Sequence, residues 1–147
     1  MADNKSVSPL ESLKRFYAAE EQYAASTPKD FSVVASTLHP QIVLYQPESL
    51  PYGGIWRGHS GFEAWMKAFT SAWKAVQPRH PVFHQPDDHT LISLVTMRAQ
   101  ARHSGQWIEM PMCQVIVVDD GLPIEWRNFA WDTARLNEAL GHGNTPR

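Results

Sequence analysis

Three observations on the 147-residue sequence predict an α+β domain. Apolar residues recur at helical spacing through most of the first half of the chain. From about His80 onward they fall in strand-like runs instead. Those runs are separated by the turn signals "PDD", "HSG" and "DDG". Helices with one early strand, followed by an antiparallel meander, form a layered structure with the helices on one face of the sheet.

The elements follow in order. Ser8-Pro9-Leu10-Glu11 is a capping box with proline at the first helical position. The helix it opens runs through "ESLKRFYAAEEQYAAS", with Leu10, Leu13, Phe16, Tyr17 and Ala24 as its apolar stripe. "TPKD" restarts a short second helix through Phe31, Val34 and Leu38, which His39-Pro40 ends. Ile42–Tyr45 is a brief strand and "QPESLPYGG" a loop. A third helix is expected from Gly61 to about Val76, capped by Ser60 with Glu63 reaching back. Strands are expected near His80–Gln85, Thr90–Arg102, Gln106–Val118 and Ile124–Trp131. Asp132 then caps a last helix that stops at Gly141.

The chain has the length of one domain, with its core spanning about residues 8–141, and can bury roughly 70% of its unfolded surface without staples. At 43% hydrophobic and 19% charged residues it is globular rather than disordered. A net charge of -2 without a basic run argues against nucleic-acid or anionic-membrane partners. No apolar run could span a bilayer, and "MADNKSVSPLES" lacks a signal-peptide layout. A lone Cys113 excludes an intrachain disulfide and fits a reducing cytoplasm. Six tryptophans suit the lining of an apolar pocket.

"GGIWRGHS" comes within one residue of a phosphate-cradling P-loop, and "VIVVDD" mimics its metal-holding strand. Nucleotide binding nevertheless fails. His59 replaces the lysine, Pro47 and Pro51 separate the preceding strand from Gly53, and no alternation of strands and helices builds a parallel sheet. "VIVVDDG" reads instead as a strand entering an Asp-Gly hairpin.

The stretch "PYGGIWRGHSGFEAWMKAF", with a short strand before it and a strand meander and "WDTARLN" after it, resembles the SnoaL-like branch of the nuclear transport factor 2-like superfamily. The resemblance covers nearly the whole chain in element order. It implies a cone: a curved, mostly antiparallel sheet wrapped around N-terminal helices and enclosing a pocket open at one end. It also implies homodimers through the outer sheet face, which the two-sided apolar pattern of "VIVV" supports.

Fold alone does not settle function in this superfamily. Where ketosteroid isomerases carry a general-base Asp before proline, this chain has Gln46 before Pro47, and their oxyanion-stabilising acid falls near Met110 or Pro111. Limonene epoxide hydrolase motifs resemble Arg98-Ala99-Gln100 and Trp126-Arg127-Asn128-Phe129, with Tyr45 as the assisting tyrosine. Gln100 and Asn128 stand there as amides, which hydrogen-bond but do not take a proton. The cyclases' acid-base Asp is matched by Asp132, which is equally a good helix cap.

Glu109 lies in the apolar "QWIEMPMC", a setting that raises a carboxylate's pKa if the side chain points inward. Strand alternation equally allows it to face solvent, and puts Trp107 on its side. Tyr52 and Glu48 fall in the loop at the expected mouth. The His80, His84, Asp87, Asp88, His89 cluster sits on a solvated hairpin tip, so no metal is expected there.

These readings combine as a cytoplasmic homodimer binding a small, largely apolar organic molecule. Its candidate catalytic residues are Glu109 and Asp132. Tyr45, Tyr52, Arg98, Gln100, Trp107 and Asn128 are the candidate binding residues, and no cofactor is expected. Two readings of its role stay open: cofactor-free isomerisation, cyclisation or hydrolysis, and a non-catalytic ligand-binding or assembly domain.

Overall fold

In the computed structural model, which describes residues 7–141, four helices and six strands make one α+β unit. The strands form a single curved sheet in the order β2-β1-β6-β5-β4-β3. Only β1 (Val43–Gln46) and β6 (Leu122–Ala130) run parallel; every other pair is antiparallel.

Helix α1 (Pro9–Ala25) starts as its capping box requires, with the Ser8 hydroxyl accepting the Glu11 N–H at 3.1 Å. Leu13, Phe16, Ala19 and Tyr23 face inward, while Ala24 is exposed. Helix α2 is one turn, Ser32–Ala35, and stops short of the expected Leu38. Asp30 fixes its start by accepting the Ser32 N–H at 3.0 Å.

The expected glycine loop contains an extra strand, β2 (Gly54–Arg57), hairpin-paired with β1. Four residues were too few for a period-2 signal. The glycines serve this hairpin. A Cβ on Gly53 would strike the Pro47 carbonyl oxygen and come 2.8 Å from that of Glu48, while Gly54 and Gly58 have φ of 107° and 70°.

Helix α3 spans Gly58–Ala72, beginning and ending earlier than expected. The Ser60 box does not form, because the chain turns helical at Gly58 and Ser60 already lies inside the first turn. His59 instead places Nε2 at 2.9 Å from the Leu38 carbonyl oxygen.

Strand β3 runs from Trp73 to Asp87, far longer than His80–Gln85. It contains Pro78 and Pro81, which fit an edge strand such as β3 better than a central one. Register shifts interrupt it between Arg79 and Val82, where His80 adopts a φ of 52°. Strands β4 (Thr90–Ala101), β5 (Trp107–Asp119) and β6 lie within two residues of expectation. Asp119 pairs with Leu122 across Asp120-Gly121, whose φ values of 52° and 74° are those of the Asp-Gly hairpin turn. Helix α4 (Thr133–Ala139) is capped as expected by Asp132.

The core lies between the helices and the concave sheet face. Phe16 of α1 meets Trp126 of β6 at 4.9 Å between ring centroids and Phe62 of α3 at 5.7 Å. Such edge-on contacts add about 0.5–1.5 kcal/mol each to the burial itself. They clamp α1 and α3 to each other and to the sheet.

Candidate functional site

Beyond this clamp lies a cavity of about 800 Å³. Helix α1 contributes Phe16, Tyr17, Glu20 and Tyr23, residues on successive turns of one face. Helix α3 contributes Phe62, Trp65, Met66 and Phe69; inward residues of the strands complete the wall, among them Ala99, Ile108, Met110 and Trp126. Exposed Lys29, Lys67, Thr70, Lys74 and Arg102 rim the opening. The volume lies within the roughly 300–1,000 Å³ usual for small-molecule sites.

Three amides cross the cavity floor in a row. The β1–β6 register pairs Tyr45 with Arg127, so the next residues, Gln46 and Asn128, stand side by side. The β5–β6 register pairs Asn128 with Gln114. Neighbouring strands lie about 4.8 Å apart, so the row spans roughly 10 Å. Gln46 and Gln114 are buried, and all three side chains line the cavity. Gln46 Nε2, Asn128 Oδ1 and Gln114 Oε1 have no hydrogen-bond partner among the protein's own groups, nor do the Trp65 and Trp126 indole nitrogens. Five buried polar atoms, each costing about 1–3 kcal/mol if left unpaired, thus belong to residues that line one cavity. By contrast, Trp73 Nε1 donates to the Tyr52 hydroxyl at 3.0 Å.

The cavity also shifts its acids. Burial, followed by the neighbouring charge of Glu21, pushes the Glu20 carboxyl up from 4.5 to about 7. Burial likewise raises Tyr17, and Tyr52 to about 12, the latter against the opposing Trp73 hydrogen bond. Tyr17 and Tyr52 are therefore neutral donors at physiological pH. Glu63, the other carboxylate of the lining, lies 3.8 Å from Lys67.

Of the residues singled out in the sequence, Tyr52 and Asn128 line the cavity, Tyr52 deep in the wall rather than at its mouth. Gln46 and Met110, at the ketosteroid isomerase positions, line it too. Glu109 and Trp107 share a face as alternation required, but it is the outer one, where both are exposed. Arg98 and Gln100 lie there as well. The Arg98 guanidinium stacks 3.7 Å over the Trp107 ring, and Gln100 donates to the Gly105 carbonyl at 3.1 Å. Tyr45 is half-buried on the outer side under the Arg127 guanidinium, 4.1 Å away. Asp132 caps α4, accepting the Ala134 and Arg135 N–H groups at 3.0 and 3.3 Å. The outer placement follows from phase: the inward residues at this end of β4 and β5 include Met97, Ala99, Ile108 and Met110, one step from those chosen.

Cavity residues not singled out include Glu20, Gln114 and Trp65. Glu20 carried a signal, lying four residues after Phe16 and three after Tyr17, on the apolar stripe of an amphipathic helix. Outside the cavity, Val82, Leu94, Phe129 and Trp131 expose apolar surface on the outer sheet face around an open cleft of about 530 Å³. No described helix is long and apolar enough to cross a membrane.

Solved structures share this architecture. A nuclear transport factor 2-like protein of unknown function from Burkholderia pseudomallei superposes with a TM-score of 0.75 at 19% identity, over 95% of this chain and 98% of that one. TerC, co-crystallised with polyporic acid, superposes with a TM-score of 0.72 at 18% identity, over 95% of this chain and 99% of TerC. A Xanthomonas campestris protein provisionally called a polyketide cyclase gives 0.63 at 14% identity, over 88% and 98%. No curated protein matches the sequence. The profile of the SnoaL-like domain matches residues 19–126. That match spans well over half of the chain, which therefore belongs to the SnoaL-like domain family.

Proposed function

We propose that the protein binds a small, largely apolar organic molecule in the cavity between α1, α3 and the sheet. The carrying observation is a cavity of about 800 Å³ whose mostly apolar lining includes five residues with unpartnered buried polar atoms. An apolar interior supplies affinity by excluding water from the ligand, and a few fixed polar groups supply orientation. A ligand with both carbonyl and hydroxyl groups matches a set of three nitrogens and two oxygens. A fold relative co-crystallised with a small molecule supports the reading.

Of the two roles, acid-base catalysis is favoured by Glu20, a carboxyl held near neutrality at the cavity wall. The non-catalytic reading rests on Gln46 and Asn128, amides where relatives of known chemistry carry carboxylates. Quenching of tryptophan fluorescence by 2-tetralone, a bicyclic apolar ketone, tests the binding reading. Wild type is expected to show saturable quenching, and Met97→Trp, which adds bulk to the cavity wall, to weaken it about tenfold. Quenching that is unaffected by this substitution counts against the cavity as the binding site.

We further propose a cytoplasmic homodimer that covers Val82, Leu94, Phe129 and Trp131 with a second copy. Light scattering is expected to give twice the 16.7 kDa chain mass. A monomer mass across the working concentration range would contradict it.

A further inference from the structure

We propose that the mouth of the cavity carries an anion site, built on Arg102 with Lys74 next to it in the sheet. The ligand is then an amphipathic acid, with an apolar body in the cavity and a carboxylate at the rim. This rests on the cavity being the ligand site and adds to it the charge of the ligand and the residues that select it.

The chain as a whole carries a net charge of -2, yet the charged residues at the opening are mostly cations. Lys29, Lys67, Lys74 and Arg102 line the cavity and are exposed, against the carboxylates of Glu20 and Glu63. Lys67 lies 3.8 Å from Glu63 and offsets it. Glu20, raised to about 7 chiefly by burial, is largely uncharged below neutrality. Lys29 donates to the Tyr23 and Ala24 carbonyls, which leaves its charge unneutralised. Among the described residues, no ion pair includes Arg102 or Lys74.

Arg102 is held in place by the protein itself. The β3–β4 ladder pairs Trp73 with Ala101, the residue before it. Its backbone N–H donates to the Ala72 carbonyl and its Nε to the Thr70 carbonyl, both at 2.9 Å. The side chain therefore lies against the C-terminal turn of α3, where a cation is favoured. Capping of the helix uses only Nε. The two terminal Nη groups stay available, and their N–H bonds form a planar fork that matches a carboxylate. A guanidinium already fixed through Nε loses less freedom on meeting an anion than an untethered one. Lys74 follows Trp73 along β3 and adds a second unpaired charge at the same part of the rim.

The placement also suits the energetics of the ligand. Phe16, Phe62, Ile108 and Met110 offer its body an apolar wall. A carboxylate at the exposed rim keeps part of its hydration, so the cost of burying a charge is avoided.

Calorimetric titration with 2-naphthylacetate and with its neutral amide, 2-naphthylacetamide, tests this. Both carry a bicyclic apolar body like that of 2-tetralone, and they differ in charge. At about pH 6 the acid is ionised while Glu20 is largely protonated. At low salt, wild type is expected to bind the acid about tenfold more tightly than the amide, a preference that shrinks as salt is raised. Arg102→Gln should remove most of that preference while changing amide affinity less than about twofold. Lys74→Gln should remove a smaller part, and Arg15→Gln, at a cation paired with Glu11 on α1, none. Equal affinity for acid and amide in wild type would overturn the anion site and leave the cavity reading standing, as would a preference that survives Arg102→Gln unchanged. Failure of the acid, the amide and 2-tetralone alike to bind would sink the cavity reading itself, and this site with it.

Discussion

Replacing Glu20 with glutamine should remove a pH dependence of stability that the cavity imposes. The carboxyl titrates at 4.5 in an open chain and at about 7 in the fold, because burial and then Glu21 disfavour its charge. That rise corresponds to roughly 3 kcal/mol of preference for the protonated form. The folded state holds the proton more tightly, so its contribution is fully present below about pH 4.5 and fades as pH climbs through about 7. At about pH 8 the wild type carries the cost of an ionised carboxylate in an apolar wall, whereas the glutamine variant does not. For a chain of this size roughly 2–4 °C accompany each kcal/mol, so the variant should melt about 6–12 °C above wild type there. At about pH 4 the two should converge. Melting curves of both proteins across this range give the difference, in which the histidines and other carboxylates common to both cancel. A difference independent of pH, or wild type equal to the variant at pH 8, would refute the burial of Glu20 as its controlling influence.

Gly53→Ala should destabilise the β1–β2 hairpin by more than about 2 kcal/mol, because the added methyl meets the Pro47 and Glu48 carbonyl oxygens, which are backbone and cannot step aside; a denaturant midpoint equal to wild type would contradict this. Asp132→Ala should cost about 1 kcal/mol through loss of the α4 cap while leaving 2-tetralone affinity unchanged. A large loss of affinity with retained stability would move Asp132 into the ligand site.

Where local physics decided the outcome, the sequence could be read closely. Ser8, Pro9 and Glu11 marked the start of α1, Asp120-Gly121 set the β5–β6 turn, and Asp132 began α4. It was less legible where tertiary placement decides. Pro78 and Pro81 are tolerable only because β3 is an edge, and edges are a property of the assembled sheet. Glu109 illustrates the same limit at the site: alternation fixed that it shares a face with Trp107, but which face looks inward depends on one step of phase along the strand. Family positions led to Gln46 and Asn128, which do line the cavity, and to Arg98 and Gln100, which do not. Glu20 was visible as a polar break in an apolar stripe. Its meaning depends on the cavity that α1, α3 and the sheet enclose, which no local pattern encodes.

The most direct test observes the indole N–H groups by nitrogen-15 NMR during titration with 2-tetralone. Trp65 and Trp126 line the cavity and have unpartnered Nε1–H groups, whereas Trp107 and Trp131 stand exposed outside it. The account predicts saturable shifts of the Trp65 and Trp126 resonances with those of Trp107 and Trp131 unmoved. Shifts confined to Trp107 and Trp131, or none at any soluble ligand concentration, would contradict it.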